Sequence, residues 1–283
     1  MSLTKPLLII VAALPCEARY FLDACRLKKT DDTAYSLYVN TDETIALIVS
    51  GVGKLHAAMA VSYAFAVMGR KKHTCWLNLG IAGSNCYSVG DIVLANTITD
   101  YDKKCSWYPF ISSSYQIPSD QVVTVDQVTE DYIAPMIDME SAGYYPAASF
   151  FVTHEQVQCC KVISDNIQHP HQSVPIKKSV VITLIQNQKV AIDRLVESLL
   201  SLSASQGQRE LPIDDELEVM LNHWHFSHYQ KNELKCLVER WLVILTDRSV
   251  SNEVLNEKNL SKAEHVLLWI KKQLDLAVFT FKE

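Results

Sequence analysis

The chain has 283 residues, of which 48% are apolar and 20% are charged, a balance typical of a globular protein with an ample core. The formal net charge is −6 and no basic run is denser than Arg70-Lys71-Lys72, which argues against non-specific binding to nucleic acid. No apolar run reaches the roughly 18 residues of a membrane span, so a small-molecule ligand is expected rather than a membrane partner.

The eight cysteines show no CxxC pair and no spacing typical of a disulfide framework. Because disulfides persist mainly in oxidising compartments, we expect reduced core thiols and a cytoplasmic protein. Cys16 and Cys160 fall near candidate site residues, but a cysteine there is not by itself evidence for nucleophilic catalysis.

The first predicted element is a buried strand from Leu7 to Leu14, followed by a helix from about Ala18 to Leu27. Glu17 then lies in the first turn, above the carboxyl end of the strand. Ligands of open α/β sheets bind at that end, so Glu17 is a candidate site residue. A surface glutamate that complements the helix dipole is an equally good interpretation of this residue alone.

Two further predicted strands end in small residues. Ile45–Val49 runs into Ser50-Gly51-Val52-Gly53-Lys54, before a helix from Leu55 to Met68 that closes on Gly69, and Cys75–Leu79 runs into Gly80-Ile81-Ala82-Gly83-Ser84. Glycines at such points let backbone N–H groups approach an anion or hydroxyl. The first loop is not a dinucleotide fingerprint, because it lacks a third glycine and a suitably placed acid downstream.

The middle of the chain alternates strands and loops. Gly90–Ala95 is predicted as a turn and strand, Asp100–Pro118 as an aromatic-rich loop, and Gln121–Val128 as another strand. The aromatic loop suits either a stacking lid or a subunit contact. The stretch from Pro135 to Ala142 then brings a strand to a helix that starts in small residues, with Glu140 beside the strand end.

A short apolar run that begins at Cys159 stops abruptly at Ser164-Asp165-Asn166. Its length and β-branched residues predict a buried strand. An acid at the end of such a strand points at the ligand, so Asp165 is the first candidate for a catalytic acid. The alternative is that Asp165 caps a following helix, because all three polar residues are good N-caps.

The rest of the chain is predicted to be helical, with an amphipathic stretch from Val174 to about Ser203. The polar stretch Ser201–Glu210 suggests a boundary, so we expect one domain over residues 1–205 and a helical C-terminal extension over residues 206–283. No metal is predicted, since no carboxylate or cysteine completes a ligand set with His223, His225 and His228.

Six motifs occur in the order typical of the nucleoside phosphorylase and nucleosidase superfamily. The chain resembles most closely the hydrolytic branch, the methylthioadenosine/S-adenosylhomocysteine nucleosidases and futalosine hydrolases. The resemblance spans roughly Leu7 to Ser203 and implies a three-layer α/β/α fold with a central mixed, partly barrel-like sheet. The motifs are Ala12–Glu17, Ser50–Lys54, Asn78–Gly83, Gly90–Val93, Asp138–Ala142 and Ile163–Asp165.

By this resemblance, Glu17 activates water, Asp165 protonates the purine, and Glu140 grips the ribose hydroxyls. It also implies a purine nucleoside as the partner, no cofactor, and a homo-oligomer, with a dimer favoured. The implied substrate-binding residues, besides Glu140, are Ser50, Gly51, Gly83, Val128, Thr129, Met139 and Lys161.

The chain departs from the family at Ile81, where a serine is usual, and at Lys161, where an arginine is usual; a lysine loses bidentate geometry. Two connections, Asp91–Val128 and Thr129–Asp138, are also short. These departures favour a non-catalytic binding module, whereas the three retained carboxylates favour a nucleosidase that hydrolyses an N-glycosidic bond. A phosphorylase is the remaining alternative, although the chain lacks the Gly-Asp-Pro-x-Arg phosphate loop and Glu17 would repel phosphate.

Overall fold

The computed structural model describes residues 6–31, 33–68, 72–127, 131–170, 176–207 and 212–280. Residues 278–280 are described by their backbone alone. The chain divides into two units, Met1–Gln208 and Arg209–Glu283. Among the described residues, no helix is both long enough and apolar enough to span a bilayer.

In the described part of the first unit, ten strands form one mixed sheet. The strands are β1 Leu8–Ala12, β2 Lys28–Lys29, β3 Ser36–Val39, β4 Ile45–Val49, β5 Cys75–Ser84, β6 Ile92–Asp100, β7 Cys105–Trp107, β8 Ser119–Thr124, β9 Met136–Asp138 and β10 Val157–Asn166. The helices of this unit are α1 Pro15–Ala24, α2 Lys54–Val67, α3 Ser141–Ser149, α4 Lys178–Asn187 and α5 Lys189–Gly207.

Part of the sheet closes on itself as a barrel. β5 pairs with β10, β10 with β6, β6 with β8, β8 with β9, and β9 returns to β5. The remaining strands extend the sheet outward from β5 in the order β1, β4, β3 and β2, while β7 forms a hairpin with β6. Since β1 and β10 both run parallel to β5, their carboxyl ends lie at one edge.

Alternate residues of β1 point to opposite faces of the sheet, and each face has its own core. Leu8 and Ile10 belong to a core that includes residues of α1, α4 and α5. Ile9 and Val11 belong to a second core with residues of α2 and α3. Helices therefore cover both faces, and the prediction of a three-layer α/β/α fold with a partly barrel-like sheet is confirmed.

Several predicted boundaries change. The first helix begins at Pro15 rather than Ala18, and β5 continues to Ser84 rather than ending at Leu79. The predicted loop Asp100–Pro118 contains strand β7, because Cys105–Trp107 pairs back onto β6. Helix α5 continues to Gly207, through most of the stretch that the sequence suggested as a boundary. The predicted helix cap at Gly69 lies outside the described residues.

Gly143 lets α3 approach the start of α2 closely. A Cβ atom at this position would lie 2.0 Å from the carbonyl oxygen of Lys54, a backbone atom that cannot turn away. We expect Gly143→Ala to reduce the free energy of unfolding by about 1–3 kcal/mol or more, as overpacking does. Urea denaturation would measure this loss, with the helical Gly207→Ala as the control.

At Gly207, the nearest atoms to a new Cβ belong to the His73 side chain, at 3.3 Å or more. A side chain can shift by a few tenths of an ångström, so this control should change stability much less. Equal losses in the two variants would contradict the packing argument at Gly143.

The second unit is helical, as predicted for the C-terminal extension. Within its described residues the helices are α6 Ile213–His223, α7 His228–Ile244, α8 Val250–Asn256 and α9 Ala263–Thr280. Its separate core joins Leu234, Val238 and Trp241 of α7 to Val266 and Ile270 of α9. These spacings of three and four residues place each set on one helix face.

Candidate active site

A cavity of about 460 Å³ lies where the carboxyl ends of β1, β5 and β10 meet the residues that follow β9. Strand β9 crosses the end of β5, where Ile137 pairs with Gly83. The cavity therefore collects residues from several separate parts of the chain. Its lining includes Glu17, Ile81, Gly83, Tyr132, Asp138, Met139, Glu140, Ser164, Asp165 and Lys178.

The structure brings five of the predicted site residues together in this cavity, namely Glu17, Gly83, Met139, Glu140 and Asp165. Three others, Ser50, Gly51 and Lys161, are described but do not line it. Val128 and Thr129 lie outside the described residues. The roles of all these residues remain predictions.

Asp165 reaches the cavity through an irregularity in β10. Ile163 pairs with Ala82 and Asp165 with the next residue of β5, Gly83, so Ser164 is an extra residue in the ladder. A bulge of this kind redirects side chains, and as a result both Ser164 and Asp165 line the cavity. Asp165 lies within a strand, and the next described helix starts only at Lys178, so the interpretation of Asp165 as a helix cap is wrong.

Both carboxylate oxygens of Asp165 accept hydrogen bonds from hydroxyl groups. The phenol of Tyr132 donates to Oδ2 at 2.7 Å, and the Ser164 hydroxyl donates to Oδ1. A Cβ on Gly83 would lie 2.9 Å from the Tyr132 ring. The glycine therefore gives the phenol room to reach Asp165.

Glu17 is almost completely buried, with 2% of its surface exposed, so it is not a surface residue of the helix. The Leu14 N–H donates to its Oε2 at 2.8 Å and the Ile81 N–H donates to its Oε1 at 3.0 Å. Burial raises the pKa of the Glu17 carboxyl, while these hydrogen bonds and the charge of Lys161 oppose the shift. Ile81 stands where the family that the motifs resemble usually has a serine, and it contributes a backbone N–H as a hydrogen-bond donor to Glu17.

Glu140 follows β9 and precedes α3, and the Gly53 N–H donates to its Oε1 at 2.9 Å. Burial raises the pKa of Glu140 to about 7, with Lys161 opposing the shift and the neighbouring Asp138 and Glu17 adding to it. Glu140 therefore changes its charge near neutral pH.

The glycine loop holds this glutamate in place. Gly51 and Gly53 both have positive φ angles, +87° and +104°, which favour glycine. The N–H groups of Ser50 and Gly51 donate to the carbonyls of Ala12 and Ala13, so they extend the pairing with the first strand. Gly53, rather than Ser50 or Gly51, connects the loop to a candidate site carboxylate.

A buried ion pair lies next to the two glutamates. The Lys161 ammonium is 2.7 Å from Asp138 Oδ2, and the two side chains are 1% and 0% exposed. Thr124 donates its hydroxyl to Oδ1 of Asp138, and Ser141 donates both its N–H and its hydroxyl to Oδ2. Burial would raise the pKa of Asp138, but Lys161 and these hydrogen bonds hold it below its usual range.

Comparison with solved structures shows what the first unit, Met1–Gln208, which contains the barrel and is called the barrel unit here, is similar to. The Arabidopsis thaliana 5′-methylthioadenosine nucleosidase matches with a TM-score of 0.58 and 15% identity, covering 70% of this chain and 99% of that chain. The barrel unit has the nucleosidase fold. The Streptococcus pneumoniae 5′-methylthioadenosine/S-adenosylhomocysteine nucleosidase, solved with the transition-state inhibitor MT-ImmA, matches with a TM-score of 0.52 and 18% identity, covering 70% and 98%.

A futalosine hydrolase mutant of Helicobacter pylori strain 26695 also shares this nucleosidase fold, with a TM-score of 0.52 and 14% identity, covering 68% of this chain and 98% of that chain. The structure thus confirms, at the level of the fold, the resemblance that the motifs indicated. Neither the models of protein families nor the curated proteins give a match.

The sequence did not indicate two residues that line the cavity on this nucleosidase fold. Tyr132 lies between two strands, where no periodicity marks it, and Lys178 starts a helix whose predicted range began several residues earlier. Lys178 is the one cation among the described lining residues. Within the described residues, no group of three or more His, Cys, Asp or Glu side chains could hold a metal ion.

Proposed function

We propose that this chain is a purine nucleosidase, which hydrolyses the N-glycosidic bond of a purine nucleoside or 5′-modified nucleoside to free base and sugar. The observation that carries the proposal is that Glu17, Glu140 and Asp165, from three separate elements, line one cavity of a nucleosidase fold. Similar proteins have been solved with a methylthio-immucillin and with adenine, which supports a purine ligand here.

The three carboxylates match the three requirements of the reaction. Cleavage passes through an oxocarbenium-like state, so a base must aim water at the sugar, the sugar must be held, and the departing purine must be protonated. In this proposal, Glu17 takes the proton of the attacking water and Glu140 accepts the ribose hydroxyls. Asp165 delivers a proton to the purine ring, with Tyr132 and Ser164 orienting its carboxyl group.

The charge state of Glu140 predicts a pH dependence. Its pKa is raised to about 7, so the carboxylate that accepts two hydroxyls is depleted below that pH. We expect kcat/KM to fall as the pH is lowered through about 7, because this quantity reports groups of the free enzyme. We would measure kcat/KM between pH 5 and 9, where the wild type should show this fall at low pH and Glu140→Gln should not. If the fall persists in Glu140→Gln, it reports the ionisation of another group.

The function itself is tested with the full chain and a panel of adenosine, inosine, 5′-methylthioadenosine, S-adenosylhomocysteine and futalosine. Chromatography would detect free base, and Glu17→Gln serves as the inactive control. Release of base without phosphate would support the proposal. Binding of a nucleoside without any cleavage would instead support the non-catalytic module.

Phosphorolysis is the second candidate, because Lys178 places a cation at the cavity wall. Phosphate would meet this ammonium but also the negative carboxylates around it. The same assay with added phosphate separates the two reactions. Free sugar is the product of hydrolysis, whereas sugar phosphate would show that phosphate is the nucleophile.

A further inference from the structure

The buried ion pair of Lys161 and Asp138 is too far inside the protein for Lys161 to be an ordinary substrate contact. Lys161 is one of the largest fully buried side chains, and it does not line the cavity, whereas its partner Asp138 does. Removing two charges from water is costly and is repaid only when geometry and extra hydrogen bonds are good. A pair in this position therefore calls for a function besides packing.

Lys161 lies directly beside Glu17. In the sheet it pairs with Gly80 of β5, which has no side chain to separate the two groups. The point where a Cβ of Gly80 would stand is 2.9 Å from Glu17 Oε1 and 3.5 Å from Lys161 Nζ. The ammonium and the carboxylate thus share the space above one glycine.

The titratable groups that act on Lys161 come from several elements. Asp138 belongs to β9, Glu140 precedes α3, Glu17 belongs to α1, and Cys159 lies two residues earlier on β10. Asp138 already has hydroxyl and N–H donors besides the ammonium. Lys161 is therefore fixed by Asp138 while its charge acts on both glutamates of the cavity.

We propose that Lys161 is a positioning residue, held by Asp138, whose charge favours the carboxylate forms of Glu17 and Glu140 in the site without touching the substrate. The proposal rests on the nucleosidase function proposed above, for which Glu17 must accept a proton from water and Glu140 must accept ribose hydroxyls. It replaces the substrate contact that the family resemblance implied for Lys161.

The two partners of the pair act on Glu140 with opposite signs. The Lys161 ammonium lowers the pKa of Glu140, and the Asp138 carboxylate raises it. Loss of Lys161 should therefore make Glu140 harder to ionise, and loss of the Asp138 charge should make it easier. A role in folding alone predicts no such opposition, because both variants would simply loosen the same part of the core.

The test follows the ionisation of both glutamates by NMR in the full chain labelled with ¹³C at glutamate Cδ, without ligand. Glu17→Gln and Glu140→Gln assign the two signals. We expect Lys161→Met to raise the titration midpoint of Glu140 by about one pH unit or more, the size typical of a nearby opposite charge. Asp138→Asn should lower the midpoint, and Lys161→Arg, which keeps the charge, should stay close to the wild type.

Activity gives a second readout. The acid limb of kcat/KM should move with the NMR midpoint in each variant, while KM at high pH changes little. If the wild type cleaves no nucleoside, the proposed function fails, yet the opposite NMR shifts would still establish the electrostatic role. Midpoints that stay fixed, or that move the same way in both variants, would overturn the proposal. If Lys161→Met does not fold, Asp138→Asn is sufficient as a test, because an unchanged titration midpoint of Glu140 in that variant would overturn the proposal.

Discussion

Replacing Glu17 with glutamine should lower kcat by about two to four orders of magnitude, the usual contribution of a general base. Glutamine is nearly isosteric with glutamate but cannot take the proton of the attacking water. In the proposed mechanism the base is needed for the chemical step and contacts the nucleophile rather than the nucleoside. We therefore expect nucleoside affinity, measured by calorimetry, to change much less than kcat.

Glu17→Gln should also destabilise the protein, because both oxygens accept backbone N–H groups, from Leu14 and Ile81. A glutamine offers one acceptor oxygen, so one N–H faces an amide N–H₂ group instead. An unsatisfied buried donor costs about 1–3 kcal/mol of unfolding free energy.

A matched control is Glu216→Gln in the second unit, since Glu216 is also buried and accepts the Ser251 N–H at 2.6 Å. Glu216→Gln should keep kcat and lose less stability than Glu17→Gln, because its one acceptor oxygen can still take the Ser251 N–H. A similar loss of kcat in both variants would show that the effect at Glu17 is not chemical.

The strands of the fold were predictable where a buried β-branched run is bounded by polar or small residues. The prediction Ile45–Val49 matches β4, and the run from Cys159 forms the centre of β10. The short strands β2, β3 and β7 were not predicted. Lys28–Lys29 is exposed and has no apolar pattern that could predict a strand. Its extended shape comes from pairing with β3 at the sheet edge.

The barrel was predictable only through the family resemblance. Strand β5 continues through Gly80-Ile81-Ala82-Gly83-Ser84, a stretch whose glycines predict a loop. It stays extended because β10 pairs with it as far as Ser84, and β9 pairs with it at Gly83. These pairing partners are distant in sequence, so the local strand propensity of the stretch cannot predict them.

The acids of the site were predictable from strand ends, but their surroundings were not. Asp165 was expected to point at the ligand, and the bulge at Ser164 that brings it to the cavity has no sequence signature. Tyr132 comes from a loop, and its contact with Asp165 depends on the empty space over Gly83. The pairing of Lys161 with Asp138 likewise depends on the closure of the barrel.

Replacing Asp165 with asparagine should lower kcat by about two to four orders of magnitude with little change in KM, because the variant cannot deliver a proton to the departing base. The substitution should be structurally silent, in contrast to Glu17→Gln. The partners of Asp165 are hydroxyl groups, from Tyr132 and Ser164, and a hydroxyl can rotate to accept from the new amide. Thermal unfolding should therefore match the wild type.

Tyr132→Phe separates proton delivery from the orientation of the carboxyl group. It removes one hydrogen bond to Asp165 and leaves the acid in place, so its loss of kcat should be much smaller than that of Asp165→Asn. An equal loss in the two variants would mean that the phenol, and not the carboxyl group, is the essential proton donor. Wild-type turnover in Asp165→Asn would remove Asp165 from the chemistry, because its only remaining role would be the hydrogen bonds that asparagine can also form.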